Sequence, residues 1–342
     1  MNAKRLEWVD CLKGIGIIFV LLGHVGGSFV KAGLYTNSMF MQIIGTTVSI
    51  FHMKLFFAIS GYTFCYAYCR HKEGNIEIVN FKRCFIQSVN FVMLYILFDV
   101  IRFVMKTIFS SFVNETMDLG MFLRTWYIAV DETWYLYAIA LVYLVTMLIG
   151  RWDKANWKVL FFVSLAVSLA YSLIDPQLEW TCLKVLQYYF YFLFGMALCI
   201  NLFNITSPKH VSYLRLFEAV AACGGGIAYV MIFDDCNILA WISGFMIVDI
   251  LFFVFSSKNI GWSIFSKVGR HSLELYVFHM FFVSGMRPII KILQINNWIL
   301  GFSLTALVGF TGPLLISKGL NFLGLDKIVF RPFSYILNRR NA

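Results

Sequence analysis

The residues of this chain predict an all-α, polytopic integral membrane protein of about ten transmembrane helices, with both termini cytoplasmic. Of 342 residues, 60% are hydrophobic and 13% charged, and the mean hydropathy is +0.76. A soluble domain is nearer half apolar and a quarter charged. The apolar residues come in long runs along the whole chain, and Lys and Arg gather in alternate connections between them. The longest polar stretches are loops of roughly a dozen to twenty residues. Residues 1–342 therefore read as a single integral membrane domain.

The net charge of +10 does not point to nucleic acid, because no dense Lys/Arg run with interleaved aromatics stands in a soluble segment. Positive charge collected in cytoplasmic loops accounts for it. The cysteines are Cys11, Cys65, Cys69, Cys84, Cys182, Cys199, Cys223 and Cys236, most of them inside apolar runs. None forms Cys-x-x-Cys or a zinc-type pairing with His, so no metal site is expected and the thiols read as reduced packing residues. Lys4, Arg5 and Lys13 precede an apolar core that runs to Val30 without a small-x-small cleavage site, as in a retained signal-anchor helix.

The expected spans are Ile15–Val30, Ile44–Cys69, Cys84–Ile101, Trp134–Ile149, Val159–Ile174, Leu183–Phe203, Leu214–Phe233, Ile238–Phe255, Leu273–Ile290 and Trp298–Leu320. With the N-terminus inside, the inner connections collect most of the cations, among them Arg5, Lys13, Lys82, Arg83, Arg151, Arg270, Lys327 and Arg339. The outer half or membrane interior keeps Lys31, Lys54, Arg102, Lys106, Arg124, Lys184, Arg287 and Lys291. An even number of spans returns the basic C-terminus to the inside.

In the first span only Gly, Ile, Phe, Val and Leu lie between Lys13 and His24. That separation is about three helical turns, so the two share a face, with Asp10 and Ser28 close to the same stripe. His24 lies roughly 16 Å above Lys13, near the middle of a ~30 Å hydrocarbon slab. An ionisable group at that depth is costly and marks a candidate functional site. His52 falls roughly 12 Å below the outer edge of the second span and His279 roughly 9 Å above the inner edge of the ninth. The three imidazoles can thus meet in the central third of the membrane. Ser60 shares the face of His52, and Ser272 and Tyr276 share that of His279. Asp99, Asp249, Glu218, Glu274 and Lys54 are further ionisable groups in or near spans, each open to a structural ion-pair role. Lys54 must pair with a carboxylate or line water.

The outer connection from Arg102 to Thr133 places Glu115, Asp118, Arg124, Asp131 and Glu132 among Trp126, Tyr127, Trp134, Tyr135 and Tyr137. These aromatics fit an interfacial belt. They also fit a sugar-binding rim, with rings stacking on pyranose faces and carboxylates accepting hydroxyl hydrogen bonds. Gly224-Gly225-Gly226 suits close helix packing. No Gly-x-Ser-x-Gly elbow, His-Glu-x-x-His motif or Walker loop is present. Histidine can take and return a proton near neutrality. A buried base without a Ser or Cys nucleophile fits direct transfer of an activated group to a hydroxyl.

Four stretches, in order along the chain, together resemble the acyltransferase 3 family. They are Asp10-Cys-Leu-Lys13 running to His24, Phe51-His52-Met53-Lys54 through Ser60-Gly61-Tyr62, Thr133-Trp134-Tyr135-Leu136, and Gly269-Arg-His-Ser272-Leu-Glu-Leu-Tyr276-Val-Phe-His279. The second has the form seen in the fucose-acetylase-like branch. Lys13 stands where arginine is commoner, which keeps the charge but loses the planar fork, and Lys54 replaces a common proline. The resemblance implies acyl transfer, usually acetyl, from cytoplasmic acyl-CoA as co-substrate to a hydroxyl of a glycan or glycolipid. No bound cofactor is expected, and the location implied is a cell membrane, the inner membrane in a bacterium.

On this reading His24 is the general base or a transient acyl carrier, with His52 and His279 as supporting or proton-relay groups. Lys13, Lys82 and Arg83 attract the CoA phosphates, Asp10 holds Lys13, and Ser60 and Tyr276 support the site. Trp126, Asp131, Glu132 and Trp134 meet the acceptor. A proton-coupled transporter of a sugar or lipid-linked glycan would also use buried His and Asp groups, although the inverted repeats that would favour it are not visible. A structural membrane subunit is the remaining alternative.

Overall fold

The computed structural model describes residues 5–340 apart from 36–37, 73–74, 111–115, 129–132, 153–155, 175–180, 201–216, 219, 223, 227–236 and 258–259. It is an all-α bundle of membrane-crossing helices. Among the described residues, seven helices are long and apolar enough to span a bilayer: α1 (Glu7–Lys31), α2 (Met39–Tyr68), α3 (Phe81–Ile108), α6 (Trp157–Ile174), α8 (Asn237–Ser257), α10 (Ser272–Ile292) and α11 (Trp298–Phe322). Two others, α5 (Trp134–Ile149) and α7 (Thr181–Ile200), are apolar but shorter as spans. The expected seventh span, Leu214–Phe233, lies mostly outside the described residues. Helices suit this environment because lipid offers no partners for backbone N–H and C=O groups.

The observed helices run longer than the apolar runs alone. α1 starts at Glu7 rather than Ile15, because Trp8, Val9 and Leu12 bury against protein. Asp10 and Lys13 therefore stand on the same rigid rod as His24. α3 continues past Ile101 to Ile108, which carries Arg102 and Lys106 on helix rather than loop.

Reciprocal glycine contacts set the two closest helix pairings. A Cβ on Gly14 would collide with the Phe265 carbonyl, and one on Gly269 would collide with the Asp10 carbonyl. These contacts seat the short helix α9 (Ser263–Arg270) across α1. In the same way Gly61 of α2 meets the Phe192 backbone, and Gly195 of α7 meets Ala58. Small residues at such crossings let backbones approach and gain dispersion contact. Around the α2–α7 crossing lies an aromatic core in which Tyr191, Phe190, Phe192, Phe57 and Phe64 are almost fully buried. Gly225 also matches close packing, since a Cβ there would meet Ser243 Oγ.

The basic connection after α2 is not a plain loop. It is a two-stranded antiparallel hairpin, β1 (Cys69–Lys72) with β2 (Asn75–Ile78), pairing Cys69 with Ile78 and Lys72 with Asn75. Ile76 and Ile78 are buried, the Ile76 carbonyl accepts from Trp157 Nε1 at 3.0 Å, and Gly150 packs on Ile78. After α4 (Leu119–Arg124) in the long connection, the remaining short helices are α12 (Asp326–Phe330) and α13 (Pro332–Arg340). α13 docks on α3, where Asn90 Oδ1 accepts from the Phe333 and Ser334 amides at 3.0 and 3.3 Å. Asn90 thereby satisfies first-turn donors that have no partner within α13. Cys11, Cys65, Cys69, Cys84 and Cys199 are free thiols, as expected.

Among the described spans α1, α3, α6 and α10 run one way and α2, α5, α7, α8 and α11 the other. The proximal end of the bundle gathers the start of α1, the end of α2, the hairpin, the start of α3 and α9. The distal end gathers the ends of α1, α3 and α10 with the start of α5 and α11.

Gly14→Ala and Gly61→Ala should each lower stability by about 1–3 kcal/mol, the cost of overpacking a filled contact. Gly319 has no described atom within 4 Å of an added Cβ, so Gly319→Ala should be neutral or gain up to about 1 kcal/mol from helix propensity. Thermal unfolding of the purified variants in detergent reads both effects.

Candidate functional site

Stripes from three helices wall a cavity of about 550 Å³ in the distal half of the bundle. α1 contributes His24, Gly27, Ser28 and Lys31, an i, i+3, i+4, i+7 face. α3 contributes Phe98, Arg102, Met105, Lys106 and Phe109. α10 lines the opposite wall from Tyr276 to Ile292, including Ser284, Arg287 and Pro288. Thr133, at the start of α5, completes the lining next to Arg102.

His24 forms part of the cavity wall, and the His279 ring lies beside it, with centroids 5.2 Å apart and planes at 46°. His279 is 1% exposed, and its Nδ1 lies 3.0 Å from the Leu275 carbonyl and 2.9 Å from that of Tyr276. Carbonyl oxygens only accept, so Nδ1 carries the proton and Nε2 of the neutral ring keeps its lone pair. That Nε2 is buried with no hydrogen-bond partner among the described residues. His52 has the same arrangement: its Nδ1 donates to the Val48 carbonyl at 2.6 Å, leaving Nε2 as acceptor. It lies close enough to His24 to interact electrostatically. The structure thus pairs His24 with His279 and places His52 within electrostatic range of His24.

Behind them runs a line of hydroxyl-bearing groups. Tyr276 lies 6.5 Å from His279 and 5.8 Å from Tyr135, centroid to centroid. The Tyr135 hydroxyl and Ser60 Oγ are 2.6 Å apart. Ser60 and Tyr276 are therefore linked through Tyr135, which the sequence reading did not single out, although its place next to Trp134 in the third motif marked it.

Asp10 is buried near the proximal end, and its carboxylate accepts from Arg5 Nε at 2.5 Å with Arg270 Nε at 4.0 Å. Lys13, three residues on, lies within electrostatic reach of both Asp10 and Arg5. The partners of Asp10 are thus Arg5 and Arg270, and no described ion pair joins it to Lys13, which it was expected to hold. Arg5 precedes the apolar run, and Arg270 stands in the last motif. Lys82 and Arg83 are exposed on the first turn of α3, and no described contact joins them to Lys13.

The proposed acceptor residues do not form one group. Trp126 is exposed. Trp134 instead packs into the aromatic core, 5.3 Å from Tyr188 and 6.1 Å from Phe57, because its helix turns that face inward. Asp131 and Glu132 lie outside the described residues. Lys54 does not pair with a carboxylate among the described residues. It is buried, donates to the Ala240 carbonyl at 2.7 Å and lies over the Tyr191 ring at 5.9 Å. Asp99 does pair, with Arg102 at 3.4 Å, and also accepts from the Thr125 hydroxyl. Arg102 in turn donates to Thr133 Oγ1 at 2.7 Å. No group of His, Cys, Asp and Glu suited to a metal occurs among the described residues.

A family model described as an acyltransferase domain, that of acyltransferase 3, matches residues 6–318. The chain belongs to the acyltransferase 3 family. No curated protein and no solved structure matches it. Membership makes the chain a multi-pass membrane acyltransferase. In this acyltransferase, the four motif stretches meet in space. α1 carries Asp10 and His24, α2 carries His52 and Ser60, α5 begins with Trp134 and Tyr135, and α10 carries Tyr276 and His279.

The cavity wall depends on the buried Asp99–Arg102 pair. Asp99→Asn should destabilise the acyltransferase by about 3–5 kcal/mol, since it leaves the Arg102 charge uncompensated. Thr125→Val, which deletes one hydroxyl donor, should cost about 1–2 kcal/mol. The order of the two, read by thermal unfolding in detergent, is the check.

Proposed function

We propose that this acyltransferase moves an acyl group, acetyl in the simplest case, from acyl-CoA to a hydroxyl of a cell-surface glycan or glycolipid, with His24 as general base. The observation that carries the reading is the position of His24. It borders the cavity, touches a second histidine, and stands on the helix whose other end holds the Asp10 cluster. The excess of Lys and Arg at the proximal end assigns that end to the cytoplasm, in the inner membrane if the host is a bacterium. Arg5, Lys13 and Arg270 there, with Lys82 and Arg83, offer cations to the CoA phosphates. The Phe51-His52-Met53-Lys54 form supports a fucose-acetylase-like enzyme.

In the reaction, the acceptor oxygen attacks the thioester carbonyl while the His24 imidazole takes its proton. The carbonyl carbon–sulfur bond breaks, and the departing sulfur receives the proton back, leaving CoA thiol and an ester. His279 and His52, each with Nδ1 held by a backbone carbonyl, present Nε2 lone pairs that can accept and relay a proton. Both orient the site without touching the acyl group.

Membranes carrying the wild type or His24→Ala, supplied with labelled acetyl-CoA, test the proposal. Label in the glycan or glycolipid fraction should fall by about 10²–10⁴ in the variant. A folded His24→Ala protein that keeps activity within about tenfold of wild type removes His24 as base. Mass spectrometry of surface glycans with and without the protein then identifies the acyl unit and the acceptor.

A further inference from the structure

Four hydroxyl-bearing residues line the cavity with His24: Ser28, Thr133, Tyr276 and Ser284. Three of them have ordinary surroundings. Thr133 Oγ1 accepts from Arg102, Tyr276 lies between the rings of His279 and Tyr135, and Ser284 is half-buried and open to water. Ser28 differs. It is 6% exposed, and its Oγ is closed off with no hydrogen-bond partner among the described residues. A helical serine commonly returns its hydroxyl to the carbonyl one turn back, as Ser172 does to Ser168 at 3.1 Å. Ser28 makes no such bond to the His24 carbonyl. A buried hydroxyl without a partner costs stability unless a ligand or water satisfies it.

Its position has a chemical use. Acyl transfer from a thioester passes through a tetrahedral carbon whose former carbonyl oxygen carries negative charge, and donors aimed at that oxygen are usually the largest single aid to the reaction. The base and the oxyanion donor act on two oxygens of one carbon, each through a hydrogen bond of about 2.7–3.1 Å, so they must stand on the order of 6 Å apart. Residues four apart share a helix face with Cβ atoms about 5–6 Å apart, and Ser28 is four residues from His24 on α1. The neighbouring wall leaves room for a substrate, since a Cβ on Gly27 would meet no described atom within 4 Å beyond its own helix. Serine Oγ can change between staggered positions about χ1 without moving the helix, which lets it turn to a bound oxygen.

We propose that Ser28 is the oxyanion donor of the acyl transfer, a catalytic residue one helical turn from its base. The acceptor oxygen bonds to the thioester carbon as His24 takes its proton, and the carbonyl π pair moves onto oxygen, where the Ser28 hydroxyl donates to it. When that pair returns, the carbon–sulfur bond breaks and the sulfur takes the proton from His24. Ser28 gains and loses no proton. The assignment rests on the acyl-transfer reading with His24 as base.

The test uses the full chain in membranes, with labelled acetyl-CoA and the glycan or glycolipid fraction of those membranes as acceptor, and thermal unfolding of the same variants in detergent. Ser28→Ala should lower kcat by about 10²–10³ with KM for acetyl-CoA unchanged. Its Tm should equal or exceed that of wild type, because an unsatisfied hydroxyl is gone. Ser28→Cys, close in size but a weak donor, should fall between the two in kcat. Thr305 Oγ1 is also buried without a described partner but lies outside the cavity lining, and Thr305→Val should leave kcat unchanged. A loss in Ser28→Ala below about tenfold overturns the proposal, and is the outcome if the hydroxyl merely holds a water. A rise in KM with unchanged kcat overturns it as well, marking a donor-binding contact. So does a lowered Tm in Ser28→Ala with an equal loss of kcat in Thr305→Val, which marks packing. Absence of transfer by the wild type overturns the acyl-transfer reading and this proposal together. Activity lost in His24→Ala but retained in Ser28→Ala overturns this proposal alone.

Discussion

The backbone-to-backbone approach of α1 and α9 at Gly14 and Gly269 is the constraint on which the site depends. Between helices in lipid there is no hydrophobic driving force, so close contact of small residues must supply the attraction. Once α9 lies across the start of α1, Arg270 reaches the Asp10 carboxylate, and α10 begins immediately afterwards beside α1. That placement brings His279 to His24 without any long connection. The α2–α7 crossing at Gly61 and Gly195 does the corresponding work for His52 and Ser60, fixing α2 against the aromatic core.

Polar groups at this depth need partners, and the chain supplies them from the backbone. His52 and His279 both direct Nδ1 to a carbonyl one helical turn back, which sets the tautomer and turns Nε2 towards the interior. The same economy holds Lys54 on the Ala240 carbonyl and Arg287 on the Ser284 carbonyl freed by Pro288. A membrane acyltransferase must handle a proton and a charged donor in a medium that tolerates neither well. In this chain the groups proposed to handle the proton are imidazoles, neutral when deprotonated. The charged groups described above stand at the bundle ends, in the cavity wall, or with buried partners such as Asp99 for Arg102 and the Ala240 carbonyl for Lys54.

Much of this was legible in the residues because hydropathy and helical rise are local properties. The spans of α5 and α10 matched their apolar runs closely, and simple rise arithmetic put His24 and His279 at compatible heights, as their contact requires. What the residues did not reveal depends on contacts between distant segments. The hairpin under Trp157, the Arg270–Asp10 contact and the cavity wall formed by α3 with α10 are all of that kind. Trp134 had the composition of a rim residue, but its helical phase turned it towards Tyr188. Lys54 read as a charge in need of a carboxylate, because a carbonyl from α8 and a tyrosine face from α7 carry no sequence signal.

The central claim is that His24 and His279 act as one unit on the acceptor proton. A double-mutant cycle in membranes, measuring transfer from acetyl-CoA for His24→Ala, His279→Ala and the double variant, tests it most directly. If His279 works through His24, the effects are strongly non-additive and the double variant is no slower than His24→Ala alone. If the two losses multiply, the histidines act independently, and the paired site at 5.2 Å is not the unit of catalysis.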